Sequence, residues 1–303
     1  IRDRSKLHQM DTEEEMCGIC GFTGYRQDQK TVIERMMKAI EHRGPDSEGS
    51  FCREKITLGF RRLSIIDLED GQQPMESADG NLHIVFNGEI YDYKELRAEL
   101  ETFGISFCTH SDTEVLVNTI QQYGEKALDK LRGMFGFAVW NEKEQTLMLA
   151  RDFFGIKPVY YAEIDGHFVF ASEIKSILAF PGYERKVNQK ALEQYLSFQY
   201  APLEETFFKG IYKLMPGHML LYKNGNYEIK TYFKTKLTPG KWNRTTNMDQ
   251  LRSQLAEILK DSVKHHMLSD VEVGAFLSGG VDSGYLASAS GADQAFTVGF
   301  DEG

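Results

Sequence analysis

Chemistry in this sequence starts at "EEEMCGICGF", where Cys17 follows directly on Met16. If Met16 is the true start, removal of the initiator leaves Cys17 with both a thiol and a free α-amine. Such an amine titrates at about 7.7–8.0, so it can take the thiol proton directly or through a water, and a cysteine inside a chain lacks it. Two plainer readings compete. One is a buried structural cysteine, the common fate of this residue type. The other is a metal ligand, because Cys17 and Cys20 form C-x-x-C. No second C-x-x-C and no spaced histidine pair completes a zinc set, since the adjacent His265 and His266 point different ways on a helix.

The second chemical signal is "LSGGVDS", Leu277 to Ser283. Two adjacent glycines after a buried strand let backbone N–H groups converge, and the helix start that follows adds its positive dipole end. Together they make a seat for a pyrophosphate-like anion. No Lys-Ser or Lys-Thr follows the glycines, so this is not a Walker loop. The plain alternative is a glycine-rich strand-to-helix turn without a ligand. Ser278, Asp282 and Ser283 weigh against it by adding hydroxyls and a carboxylate.

The elements that must hold these residues are readable in outline. Cys17 to Thr23 reads as a buried strand. Val32, Ile33, Met36, Met37 and Ile40 share one helical face, and "HRGPD" stops that helix because Gly-Pro cannot continue it. "ITLGFRRLSIIDL" and "NLHIVFNGEI" read as strands, the second running into an Asn-Gly turn. "SDTE", Ser111 to Glu114, fits a capping box opening a helix with Val115, Leu116, Thr119, Ile120 and Tyr123 inward. "GMFGFAVW" and "TLMLARD" flank "NEKEQ" as a hairpin. "HFVFASE" is a further strand and "IKSILAF" a short helix. This texture predicts a layered α/β protein with largely antiparallel sheet. After the polar stretch Phe233 to Gln250, an amphipathic helix bearing Leu251, Leu255, Ile258 and Leu259 leads into "VEVGAFL", "SGGVDS", "GYLASAS" and "QAFTVGF". That order, strand, loop, helix, strand, opens a parallel sheet.

A chain of 303 residues with 41% apolar and 26% charged residues has room for two globular domains and their cores. Its 35 basic and 45 acidic residues give a net charge of −10, which argues against a nucleic-acid or anionic-membrane surface. Four cysteines make no disulfide framework and point to a reducing compartment, the cytoplasm. No window approaches the ~18 apolar residues of a membrane span. The first fifteen residues lack the apolar region of a secretory signal.

"MCGICGF", "HRGPD", "RRLSIIDL", "VFNGEIYDY", "SDTEVL", "LRGMFGFAVW", "ARDFFGIKPVYY" and "LSGGVDS" stand in this order. With them the chain resembles the glutamine-hydrolysing asparagine synthetases from Met16 to Gly303. The resemblance implies a four-layer αββα domain of the N-terminal-nucleophile hydrolase type. Behind it would come the start of a parallel-sheet ATP pyrophosphatase domain, adenine nucleotide alpha hydrolase-like. The expected boundaries are an extension over 1–16, a glutaminase domain over 17–200, a connection over 201–249 and an incomplete synthetase domain over 250–303.

By the same resemblance Cys17 attacks the glutamine carboxamide, while Asn87 and the Gly88 N–H form the oxyanion hole. Arg62 clamps the glutamine α-carboxylate, Leu63, Ser64, Ile65 and Ile66 belong to the glutamine-binding site with it, and Glu89 and Asp112 lie around the α-ammonium. Leu277, Ser278, Gly279, Gly280, Asp282, Ser283 and Val298 match the ATP site, with Mg²⁺ at Asp282. The implied substrates are glutamine, ATP and aspartate, or another carboxylate such as cell-wall diaminopimelate or a sugar acid. The family suggests a homodimer and no nucleic-acid or membrane partner.

Two departures bear on activity. Sixteen residues precede Cys17, and while they remain its nitrogen is an amide without useful basicity. Twenty residues follow Ser283, too few for the several βαβ units of a doubly wound sheet, and the family's later "SGEG"-type segment is absent. The expectation is a complete glutaminase domain with the opening of a synthetase domain, unable to make asparagine by itself.

Overall fold

Strand β1 (Gly18–Thr23), buried at all six residues, runs through the interior of a sheet whose helices lie on the far side from a second sheet. A computed structural model describes residues 16–63, 71–236, 247–269 and 271–299. After β1 come α1 (Gln29–Lys38), β2 (Ser47–Cys52), β3 (Ile56–Arg62), β4 (Met75–Glu76), β5 (Leu82–Ile90), α2 (Tyr93–Thr102) and α3 (Asp112–Tyr123). The hairpin β6 (Gly133–Asn141) and β7 (Thr146–Arg151) is followed by β8 (Tyr160–Ile164), β9 (His167–Ala171), α4 (Ile174–Leu178) and α5 (Gln189–Phe198). Then β10 (Ile211–Lys213), β11 (His218–Lys223) and β12 (Asn226–Thr231) complete the two sheets.

One six-stranded sheet has the order β10-β8-β9-β1-β3-β2 and the other β12-β11-β7-β6-β5-β4, with antiparallel neighbours. Pleating sends alternate side chains to opposite faces, so each sheet contributes one apolar face to the space between them. Ile19, Leu58, Phe60, Val85, Trp140, Leu149 and Phe170 fill that space. On the outer face of the first sheet, α1 and α4 pack Val32, Ile33, Met36, Met37 and Ile177 against Cys20 and Phe22. On the outer face of the second, α2 and α3 set Leu96, Leu100, Val115, Leu116 and Ile120 on Ile84, Phe86 and Phe137. The result is the expected αββα stack. Each fully buried aliphatic or aromatic side chain contributes about 1.5–3 kcal/mol relative to exposure.

Three local expectations are corrected. Asn87-Gly88 is not a turn: β5 continues through both residues to Ile90, paired in register with Gly133–Gly136 of β6. The ladder overrides the turn preference of the dipeptide. At the start of α3 the Ser111 side chain accepts the Thr113 N–H at 3.1 Å, but Glu114 does not close a capping box. Its carboxylate turns back to the N–H groups of Cys108 (2.8 Å) and Thr109 (2.7 Å), whose demand is greater because they lie in a loop. Finally, part of the segment expected as a connection supplies β10, β11 and β12, and these extend both sheets.

Beyond, α6 (Met248–His266) precedes β13 (Gly274–Phe276), α7 (Val281–Ser290) and β14 (Gln294–Phe296). β13 and β14 pair in parallel, as strand, loop, helix, strand requires. The expected burial of β13 is not met. Phe276 is 81% exposed, and among the described residues β14 is the one strand that pairs with β13. No helix among the described residues is long and apolar enough to cross a membrane.

Candidate active site

The pleat of β3 and β5 assembles the site. Along β3, Ile56, Leu58 and Phe60 point between the sheets, and Arg62 is the next residue of that series, 4% exposed. Arg61 takes the other face, where its Nε donates to the Gly44 carbonyl at 3.0 Å and its head group pairs with Glu48 and Glu41. Of the two adjacent arginines, only Arg62 lines the inner cavity. On β5, Val85 lies between the sheets while Phe86 faces the helices, so Asn87 and Glu89 follow Val85 inward. Cys17, one residue ahead of β1, enters the same space. Cys17, Arg62, Leu63, Gly88, Glu89 and Asp112 line one cavity.

The Cys17 thiol donates to the Leu63 carbonyl at 3.3 Å, and the Leu63 N–H donates back to Sγ at 3.4 Å. Arg43, from "HRGPD", fixes the Cys17 backbone: its Nε donates to the Cys17 carbonyl at 3.1 Å and its Nη1 to Glu173 at 3.0 Å. Burial pushes the thiol above the usual cysteine range, and the Leu63 N–H and the charges of Arg62 and Lys157 pull it part of the way back. A thiol in that condition needs a base beside it.

Asn87 is 1% exposed, and its Nδ2 is buried without a hydrogen-bond partner among the described residues. Leaving such a donor unmatched costs about 1–3 kcal/mol, which a ligand acceptor would offset. Next to it only glycine fits at position 88, because a β-carbon there would collide with the Met134 carbonyl across the β5–β6 ladder. Burial raises both acids beyond Gly88. Glu89 is held above the usual carboxylate range, opposed by Lys157 and His266. Asp112 is pushed up to about 7 by burial and by Glu89, while its Oδ2 accepts the Ile90 N–H at 3.0 Å. A buried and a half-buried carboxyl of this kind select a cation.

Sequence reasoning missed Gln73. Its amide accepts the Phe86 N–H at 2.6 Å and donates to the Phe86 carbonyl and Thr113 Oγ1, both at 3.2 Å, tying the strand that carries Asn87 to the helix that carries Asp112. Its signal was slight, a polar pair before Pro74 in "GQQP". Ser64, Ile65 and Ile66 lie outside the described residues. The C-x-x-C pair is divided by the strand: Cys20 packs on the α1 side, its thiol pushed up to about 12 by burial, while Cys17 borders the inter-sheet core. They cannot hold one ion together.

A glutamine amidotransferase domain model matches residues 16–233. The chain belongs to the glutamine amidotransferase family. An asparagine synthase model matches residues 254–303. Asparagine synthetase [glutamine-hydrolyzing] 1 of Bacillus subtilis (strain 168) is 44% identical over 94% of this chain and 46% of its own length. Asparagine synthetase [glutamine-hydrolyzing] 3 of the same organism is 34% identical over 90% of this chain and 45% of its own. The chain thus spans about half the length of the curated relatives it matches. Among solved structures, the glutamine phosphoribosylpyrophosphate amidotransferase of B. subtilis, in complex with ADP and GMP, superimposes with a TM-score of 0.54 at 19% identity. That match covers 93% of this chain and 65% of the other, and it establishes the shared amidotransferase fold.

In the asparagine synthase portion, Leu277 to Gly280 form the turn between β13 and α7, and Val281 to Ser283 open the helix. Gly279 has φ +81°, a conformation that favours glycine, and Gly280 caps α7. The Ser278 and Ser283 hydroxyls are 3.0 Å apart, and Ser283 Oγ donates to the Gly280 carbonyl at 3.1 Å. Leu277 is tied to β14 through its N–H to the Phe296 carbonyl at 2.7 Å, and Val298 lies just beyond the same rung. The helix start and its hydroxyls suit an anion. Asp282 lies in the first turn of α7, a hard oxygen donor of the type Mg²⁺ takes alongside phosphate oxygens. Among the described residues no group of three metal-ligating side chains accompanies it.

Proposed function

We propose that the protein is the amino-terminal part of a glutamine-dependent asparagine synthetase, with Cys17 as the nucleophile once Met16 has been removed. The α-amine takes the thiol proton and the thiolate adds to the glutamine carboxamide. Asn87 Nδ2 and the Gly88 N–H receive the developing oxyanion. Proton return to the leaving nitrogen releases ammonia and leaves a thioester, which water hydrolyses to glutamate and free thiol. Arg62 holds the substrate carboxylate with its planar fork, and Glu89 with Asp112 hold the α-ammonium. The observation that carries this reading is the buried, unpartnered Asn87 amide beside a cavity containing the Cys17 thiol, one guanidinium and two carboxyls.

In the second half the Leu277–Gly280 turn and the start of α7 bind the phosphates of ATP, and Asp282 would contribute an oxygen to a Mg²⁺ ion accompanying them. There the aspartate carboxylate attacks the α-phosphorus of ATP, releasing pyrophosphate and forming the acyl-adenylate, and ammonia then displaces AMP to give the amide. Ammonia travels within the protein, because ammonium in neutral water is not a nucleophile. The chain lacks disulfides, in keeping with a cytoplasmic location.

The test compares three forms of the full-length protein: one beginning at Cys17, one retaining Met16, and Cys17→Ala. The first is expected to release ammonia from glutamine. The other two are expected to fall by about a thousandfold or more while keeping their fold, because nucleophile and base act as one unit. Glutamine turnover by the Met16-retaining form, checked by mass spectrometry of its terminus, would refute the assignment. Aspartate should support ATP-dependent amide formation in preference to other carboxylates.

A further inference from the structure

Lys157 has no part in the chemistry above, yet its ammonium is carried into the interior beside Cys17. The residue is 6% exposed. Its backbone is fixed from both sides: the N–H donates to Asp152 Oδ2 at 2.9 Å, and the carbonyl accepts from Arg151 Nε at 2.8 Å. Asp152 also accepts the N–H groups of Phe135, Phe154 and Ile156, so the "RDFFGIK" turn is wound around one carboxylate. That winding delivers the lysine stem inward. At its tip, Nζ donates to Met16 Sδ at 2.7 Å. A thioether is a weak acceptor. It is also the partner that departs when the chain is processed to Cys17.

The charged groups facing this ammonium are Glu89 from β5, Arg43 from the turn after α1, and Asp152 from its own turn. Arg62 from β3 and Asp112 from α3 face the Cys17 thiol. Burial presses Lys157 below the ordinary lysine range, and Glu89 opposes that.

We propose that Lys157 is a positioning residue for the amino-terminal nucleophile. Its buried ammonium stands beside the Met16–Cys17 junction and, after Met16 is removed, keeps the freed α-amine in the neutral form that accepts the thiol proton. Two ammonium groups in one poorly solvated space disfavour each other, and the weaker base gives up its proton. An α-amine starts at about 7.7–8.0 and a lysine at about 10.4, so the amine is the group left neutral. The same positive charge favours the thiolate over the thiol. This inference rests on the reading of Cys17 as an amino-terminal nucleophile.

The experiment is the pH profile of glutaminase kcat/KM in the full-length protein beginning at Cys17, compared with Lys157→Met and Lys157→Arg. Activity rises with pH as the α-amine loses its proton. In Lys157→Met that acid limb is expected to move up by about one pH unit, while Lys157→Arg keeps it in place. An unmoved limb in Lys157→Met, including a uniform fall in kcat/KM at every pH, marks a packing role and overturns the proposal. Should Lys157→Met fail to fold, NMR titration of the ¹⁵N-labelled Cys17 amine in the unaltered protein decides. A pKa below the ordinary α-amine range supports the proposal, and one at or above it overturns it. Absence of glutaminase activity in the unaltered protein would instead remove the Cys17 reading, which no variant is needed to detect.

Discussion

Asp112 carries the most informative charge in the cavity. Its carboxyl is buried, pushed up to about 7, and shares the site with Glu89, itself raised by burial. Binding the ammonium of glutamine favours the ionised form of both, so below neutral pH binding must release a proton. Glutamine affinity of the inert Cys17→Ala protein is therefore expected to weaken about tenfold from pH 8 to pH 6. Calorimetry in buffers of different ionisation enthalpy should record the released proton. Asp112→Asn should bind weakly at every pH, with the pH dependence largely removed; a steep, unchanged dependence would point to another group. The stability consequence has the opposite sense. Because the folded pKa lies above the ordinary aspartate value of 3.8, this carboxyl favours the folded state at low pH and loses that contribution as pH rises through 7. Among these residues Cys17 was singled out by its own chemistry, whereas Asn87 and Asp112 were expected only through the family resemblance. The sequence was silent on Gln73 and Lys157, whose importance comes from what the fold brings beside them.

At the scale of elements, the site depends on two strands and a helix keeping register, and Gln73 is where they meet. The strands themselves were readable from their alternation, and so was α3 from its apolar face. The continuation of β5 through Asn87-Gly88 was not, because local turn preference is weaker than a ladder shared with β6. The edge strand β12 was also missed, since its alternation is short, Tyr227 and Ile229 only, and its first four residues are exposed. Gln73→Leu tests the seam directly. It removes the acceptor of the buried Phe86 N–H and the donor to the Phe86 carbonyl and Thr113. The substitution is expected to cost about 2 kcal/mol, seen as a lower urea midpoint with unchanged m-value. It should also raise the KM for glutamine more than it lowers kcat, because it loosens α3 and Asp112 rather than Cys17. A loss confined to kcat would place Gln73 elsewhere in the mechanism.

Across the whole molecule, the three apolar clusters are built almost wholly from residues between β1 and β12. Contacts from the asparagine synthase portion meet this body at one end of α6. Arg132 pairs with Asp261 at 2.5 Å, the His266 ring lies 4.6 Å from that of Tyr91, and Leu268 packs at the edge of the helix-covered cluster. Both members of the Arg132–Asp261 pair are roughly half exposed, and such pairs contribute about 0–1 kcal/mol. A seam of this kind adds little to the stability of a body with its own cores, although it lies close to Glu89, which senses the His266 charge. A protein of residues 17–236 is therefore expected to unfold cooperatively and to hydrolyse glutamine with kcat/KM within about tenfold of the longer chain, the seam supplying no more than ~1 kcal/mol. Steady-state ammonia release, with a thermal melt of the same preparation, measures both. If the shorter protein folds but turns over more than a hundredfold more slowly, α6 contributes to the glutaminase site itself, and His266 beside Glu89 becomes the first residue to substitute.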